Sequence, residues 1–158
     1  MAETFPQDIA AKWALRLVAP DLAVGSAQAL PKIERVWSGV IDLHGAADTW
    51  PEREAAFARA ALHGRVLRWP AEDGQRLPST VFDASLAIYE SAGVQGGSTL
   101  VMCLAGKSRS VSVAYALLRA VHDLSHEDAL ARVQLYPSLF PHPTTLESAV
   151  RWVRSRRG

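Results

Sequence analysis

A single cysteine, Cys103, and an arginine shortly after it, Arg109, are the side chains of this 158-residue chain whose spacing suggests catalysis. Cys103 follows an apolar run that begins at Thr99 and is typical of a buried central strand. Arg109 precedes an apolar stretch that is typical of a helix. A helix N-terminus and a guanidinium both stabilise a thiolate, and the guanidinium can hold two oxygens of an anion. The spacing therefore predicts a thiolate nucleophile beneath a bound tetrahedral anion.

The residues between the cysteine and the arginine have the composition of an anion-binding loop. They are Leu104, Ala105, Gly106, Lys107 and Ser108. Backbone N–H groups that have no partner at a helix start can converge on a tetrahedral anion, and Gly106 permits the backbone angles of a tight turn. A free cysteine on a core strand is more often a packing residue. The preceding strand, the glycine and the following helix together favour the catalytic interpretation.

Residues 103–110 resemble the signature loop of cysteine-dependent protein tyrosine phosphatases, and most closely the dual-specificity branch of that family. The likeness extends to residues 22–28, 112–118, 124–130 and 136–143. It implies a central sheet flanked by helices, and hydrolysis of phosphomonoesters through a phosphocysteine intermediate with no metal or other cofactor. It also implies that Ser110 donates a hydrogen bond to the cysteine sulfur and eases its departure during hydrolysis.

The resemblance also implies a general acid on a loop that precedes the nucleophile by about thirty residues in the family. Asp73 fits this position, and its neighbour Glu72 is the competing carboxylate. A general acid protonates the leaving oxygen and then activates water as a base. Asp42, at the end of a predicted strand, is interpreted as structural.

Three positions depart from the family pattern. The family usually has a histidine immediately before the nucleophile, where it helps to organise the thiolate, whereas this chain has Met102. His142 stands where an asparagine is usual, and Ala-Leu-Leu follows Tyr115 in place of leucine-methionine. Met102 supports an alternative function, that of a catalytically weak module that binds phosphate without turnover.

The elements that must position these residues alternate in type along the chain. We expect extended segments at 13–18 and 22–24, strands at 36–43, 65–69 and 99–102, and helices at 51–63, 79–92, 111–121 and 144–154, with Ser125 opening one more helix. Such alternation predicts an α/β fold with a mostly parallel central sheet. Residues 1–158 are expected to form one catalytic domain, since no linker or repeat divides them.

Composition narrows the function classes. Hydrophobic residues make up 49% and charged residues 21% of the chain, with a net charge of +1, as in ordinary globular proteins. We expect no transmembrane segment, no signal peptide and a cytoplasmic location.

No metal site is predicted, because Ser125 separates His122 from His126. The arginines near the C-terminus are interpreted as a solvated helix end, so no nucleic-acid partner is expected. A monomer is expected, although no sequence feature decides the oligomeric state.

The substrate class has two candidates. The resemblance implies proteins phosphorylated on tyrosine, serine or threonine. Lys107, inside the predicted loop, supports an alternative, a phospholipid-directed enzyme acting on phosphoinositides or phosphatidylglycerophosphate, because an ammonium near the pocket favours substrates with additional negative charge. A phosphatase directed at RNA or nucleotides, using the C-terminal arginines, is a third reading.

Overall fold

The computed structural model describes residues 15–26, 36–43, 58–59, 64–71, 74–103, 108–134 and 141–157. Nine strands and helices longer than two residues lie within these ranges, and they are β1 (Leu15–Ala19), β2 (Leu22–Ser26), β3 (Gly39–Asp42), β4 (Arg65–Arg68), α1 (Ser79–Val94), β5 (Thr99–Cys103), α2 (Arg109–His122), α3 (His126–Val133) and α4 (Pro143–Arg157). The predicted single α/β domain is confirmed.

The strands form one five-stranded sheet in the order β1-β2-β5-β3-β4. Strand β1 is antiparallel to β2, and the other neighbours are parallel. The central strand β5 lies in register with β2 and β3, so that Cys103 pairs with Ser26 and Met102 with Asp42. All residues of β5 are buried, as predicted for a strand covered on both faces. The parallel strands therefore end at one edge of the sheet, where Cys103 is placed.

Two helices, α1 and α2, pack against the sheet. Helices α1 and α2 contact the sheet and each other, which places them on the same face, and α3 and α4 pack against α2. Helix α1 has a buried apolar face that includes Val81, Phe82, Leu86, Ile88 and Tyr89. In α2 every residue from Ser110 to Leu118 is buried. Because α2 is enclosed in this way, its first turn is held in a fixed position relative to the end of β5.

The predicted start of α3 is confirmed, whereas the strands predicted at 36–43 and 65–69 are shorter, namely Gly39–Asp42 and Arg65–Arg68. Ser125 caps α3 as expected, since its Oγ accepts a hydrogen bond of 3.1 Å from Asp128 N. Strand β3 begins at Gly39 and not at residue 36. The physical reason is that the N–H groups of Ser38 and Gly39 both donate to Ser98 O, so the regular ladder starts only there.

Three further predictions concern a helix, two histidines and membrane-spanning segments. Of the predicted helix at 51–63, residues 58–59 are helical and the others lie outside the described residues. His122 and His126 belong to different helices, as predicted, and bond to Tyr89 and Tyr115 respectively. Within the described part of the chain, none of the helices combines the length and apolar character that a membrane crossing requires.

Candidate active site

The predicted nucleophile and the predicted sulfur partner are in contact. Cys103 is the last residue of β5 and only 2% exposed, and Ser110 is the second residue of α2 and fully buried. The Cys103 Sγ and Ser110 Oγ atoms are 3.2 Å apart. A hydroxyl at this distance can donate a hydrogen bond to a thiolate, and such a bond stabilises the charged sulfur. The structure thus brings together two of the predicted site residues.

Arg109 opens α2 and is oriented by a backbone carbonyl. Its Nη1 donates to Ala71 O at 2.5 Å, and its Nε is buried with no hydrogen-bond partner among the described residues. A buried donor without a partner costs about 1–3 kcal/mol. The bond to Ala71 O uses Nη1 and leaves the edge formed by Nε and Nη2 free. The two donors on this edge can bind two oxygens of one anion. The side chain is therefore preset for bidentate binding.

The N-terminus of α2 has donors that no side chain of the described residues caps. Ser108 occupies the capping position, but its Oγ accepts from His142 N at 2.8 Å instead of from its own helix. The first turn of a helix carries N–H groups with no partner inside the helix and a partial positive charge. Together with Arg109, this end of α2 forms an electropositive point next to Cys103.

Two residues lie beside the nucleophile, Met102 on its own strand and Asp42 on the neighbouring strand β3. Met102, which replaces the usual histidine, is buried and pairs in register with Gly25 and Asp42. Asp42 is buried and forms an ion pair with Arg68, with Nε 3.2 Å from Oδ2. This ion pair joins β3 and β4, in agreement with the structural interpretation of Asp42.

A further cation, Arg16 on β1, is partly buried. Its Nη2 donates to Val133 O at 3.0 Å. Burial lowers the pKa of Arg16 to about 10, and the negative charge of the Cys103 thiolate opposes this shift. Arg16 therefore stays protonated at neutral pH. The sequence did not reveal this residue, because nothing in the pattern of this strand marks its arginine as partly buried.

The remaining predicted residues lie outside the described part of the chain. They are Glu72, Asp73, Leu104, Ala105, Gly106 and Lys107. The residues that flank Glu72 and Asp73 are described: Ala71 accepts the bond from Arg109, and Gly74 faces the ring of His142. In the ranges that are described, no three histidine, cysteine, aspartate or glutamate side chains are arranged to hold a metal ion.

Comparison with known proteins gives two curated relatives. The chain is 41% identical over 80 residues to dual specificity protein phosphatase 22 of Mus musculus, which covers 49% of this chain and 43% of the relative. It is 42% identical over 53 residues to dual specificity protein phosphatase 1 of Arabidopsis thaliana, which covers 34% of this chain and 27% of the relative. The matches thus span less than half the length of each relative. No family model matches the chain.

Solved structures share the fold over nearly the whole chain. A mouse putative dual specificity phosphatase complexed with zinc tungstate has a TM-score of 0.74 at 22% identity and covers 99% of this chain and 93% of its own. Human DUSP28 has a TM-score of 0.73 at 23% identity, with 92% and 96% covered. PTPMT1 in complex with PI(5)P has a TM-score of 0.66 at 20% identity, with 92% and 99% covered. The resemblance to dual-specificity phosphatases is confirmed.

Proposed function

We propose that the chain is a metal-independent phosphomonoester hydrolase that acts through a phosphocysteine intermediate on proteins phosphorylated at tyrosine, serine or threonine. The observation that carries this proposal is the contact between Cys103 Sγ and Ser110 Oγ at the N-terminus of α2, with Arg109 beside it. Residues 1–158 would form one catalytic domain. We extend the proposal to a cytoplasmic location, since a lone free cysteine is typical of a reducing compartment.

In the first step of the proposed reaction, the Cys103 thiolate attacks phosphorus. A phosphorus–sulfur bond forms, the ester phosphorus–oxygen bond breaks, and Asp73 gives its proton to the leaving oxygen. In the second step Asp73, now a carboxylate, takes a proton from water as the water oxygen attacks phosphorus. The phosphorus–sulfur bond breaks and inorganic phosphate leaves. Ser110 supports this departure, because its hydroxyl lies 3.2 Å from the sulfur that regains the negative charge.

Positive charge at the end of α2 supplies the electrostatic part of the proposed mechanism. Charge spreads over the equatorial phosphoryl oxygens in the transition state of phosphoryl transfer, so catalysis depends on donors placed beforehand. The free edge of Arg109 and the N–H groups of the first helical turn are donors of this kind. Residues 104–107 would add further N–H groups, as their sequence predicts.

Replacement of Arg109 by lysine should lower kcat/KM for an aryl phosphate by roughly 10²–10³. Lysine keeps the positive charge but cannot bind two oxygens in the fixed geometry of a guanidinium. It also loses the bond to Ala71 O. Steady-state kinetics measure the effect, with Arg151→Lys as the matched control, since Arg151 is an exposed residue of α4 that pairs with Glu147. A loss below about threefold in Arg109→Lys would contradict the proposed role of the guanidinium.

A second candidate function is supported by Lys107 and by one structural neighbour. Lys107 lies within the loop that is proposed to bind phosphate, in a chain with few lysines. The similar fold of PTPMT1 was solved in complex with PI(5)P. An ammonium near the pocket favours substrates whose negative charge extends beyond the phosphate that is removed. Phosphoinositides and phosphatidylglycerophosphate have such charge.

If the lipid candidate is right, Lys107→Ala should lower hydrolysis of these lipids by about tenfold more than hydrolysis of a phosphotyrosine peptide. The measurement is phosphate release from mixed micelles of each lipid and from the peptide. Lys32→Ala removes the same charge outside the loop and serves as the control. Equal losses on lipid and peptide would favour the protein substrate.

A phosphate-binding module without turnover is the alternative from another class. Hydrolysis of a chromogenic aryl phosphate in the presence of a chelator decides between an enzyme and a phosphate-binding module. Turnover under these conditions supports the enzyme, whereas binding of inorganic phosphate without turnover supports the module.

A further inference from the structure

The backbone that follows Asp73 in the sequence is fastened to the start of α4. Thr145 Oγ1 donates to Gln75 O at 3.0 Å, and Leu77 N donates to Ser148 Oγ at 2.9 Å. Thr145 and Ser148 are three residues apart and so lie on the same face of α4. Both side chains are buried. Two hydrogen bonds between residues some seventy positions apart therefore fix the segment 75–77 on this helix.

A third contact extends this attachment to Gly74. A Cβ atom at Gly74 would lie 3.1 Å from His142 Nε2 and 3.4 Å from Cδ2, and the φ of Gly74 is +89°. The ring of His142 is itself held, because its Nδ1 accepts from Thr144 N at 3.2 Å. The positive φ and the close approach of the ring both favour glycine at this position. The segment 74–77 is thus in contact with α4 and the residue before it along its length.

On the other side, the chain is anchored at Ala71, whose carbonyl accepts the bond from Arg109. Only Glu72 and Asp73 stand in the sequence between these two anchored points. A general acid must come within about 2.6–3.2 Å of the leaving oxygen, and a misplacement of about 1 Å can lower a rate a hundredfold. The hydrogen bonds at Ala71 and at segment 74–77 are therefore the contacts that can control the position of the acid.

We propose that Thr145 and Ser148 are positioning residues for general-acid catalysis, because they hold the backbone that closely follows the proposed acid, Asp73, in the sequence. This inference rests on the proposed function. Neither hydroxyl would touch the substrate, so their loss should matter only where the acid matters. Esters with poor leaving groups need the proton, whereas activated aryl esters leave without it.

The test compares kcat/KM for phenyl phosphate with kcat/KM for a dinitrophenyl phosphate in Thr145→Val and Ser148→Ala. We expect phenyl phosphate hydrolysis to fall about tenfold in each variant while the activated ester changes by less than about twofold. Thr145→Ser, which keeps the hydroxyl, should restore the ratio. Ser155→Ala is the matched control, because Ser155 lies on the same helix and bonds to Trp152 O, away from segment 74–77. Thermal unfolding identifies any variant that fails to fold.

The same substitutions in an Asp73→Asn background complete a double-mutant cycle. If Thr145 and Ser148 act through Asp73, they should cause no further change in the leaving-group ratio there. Equal losses on both esters, or a further fall of the ratio in the Asp73→Asn background, would overturn the inference alone. An unchanged ratio in Asp73→Asn itself would overturn the assignment of the acid, and the inference with it.

Discussion

Replacement of Cys103 by serine should lower turnover of an aryl phosphate by roughly 10⁴–10⁶ while binding of inorganic phosphate persists. A serine hydroxyl does not ionise near neutral pH, so the variant lacks the nucleophile that the proposed reaction requires. The donors that would hold phosphate, Arg109 and the first turn of α2, are unchanged. The volume of the site also changes little, because serine differs from cysteine by one atom.

Two measurements check this prediction. Steady-state kinetics give the loss of turnover, and isothermal titration with inorganic phosphate gives the retained binding. Ser112→Ala is a suitable control, since Ser112 is buried like Cys103 and has a small polar side chain, but lies on α2 and not at the end of β5. Activity of Cys103→Ser within about tenfold of the parent chain would refute covalent catalysis by this residue.

Asp73→Asn has the second-largest expected effect. It should lower kcat/KM by roughly 10²–10⁴ for substrates with poor leaving groups, because an amide cannot protonate the departing oxygen. The loss should be much smaller for activated aryl esters. Measuring a series of aryl phosphates of graded leaving-group pKa separates the two cases, since the dependence of rate on leaving-group pKa should steepen in the variant.

Glu72→Gln is the matched control for this experiment. The two carboxylates are adjacent in the sequence, so either one is a candidate for the general acid. We expect Glu72→Gln to retain the shallow leaving-group dependence of the parent chain. A larger defect in Glu72→Gln than in Asp73→Asn would move the acid to the neighbouring carboxylate.

Features that depend on local pattern could be predicted from the sequence. The apolar run before Cys103 predicts a central strand, and β5 is buried on both faces. Ser125 predicts a helix start, and its Oγ caps α3. The contact of Cys103 with Ser110 was expected from the resemblance of residues 103–110 to the phosphatase signature loop, and the two side-chain atoms lie 3.2 Å apart.

Contacts between distant parts of the chain could not be predicted in this way. The bond from Arg109 to Ala71 O joins residues 38 positions apart, and the bond from Leu77 N to Ser148 Oγ joins residues 71 positions apart. Ordinary serines and backbone carbonyls carry no signal of such partners in their own neighbourhood. Their pairing depends on how α4 packs against the rest of the domain, which only the folded chain determines.

The central claim is that a phosphoryl group passes through the sulfur of Cys103. The most direct measurement is peptide mass spectrometry of the parent chain, quenched with acid during turnover of an aryl phosphate in the presence of a chelator. We predict a phosphorylated peptide that contains Cys103, formed during turnover and absent from Cys103→Ser. Sustained turnover with no phosphorylated Cys103 peptide would contradict the account.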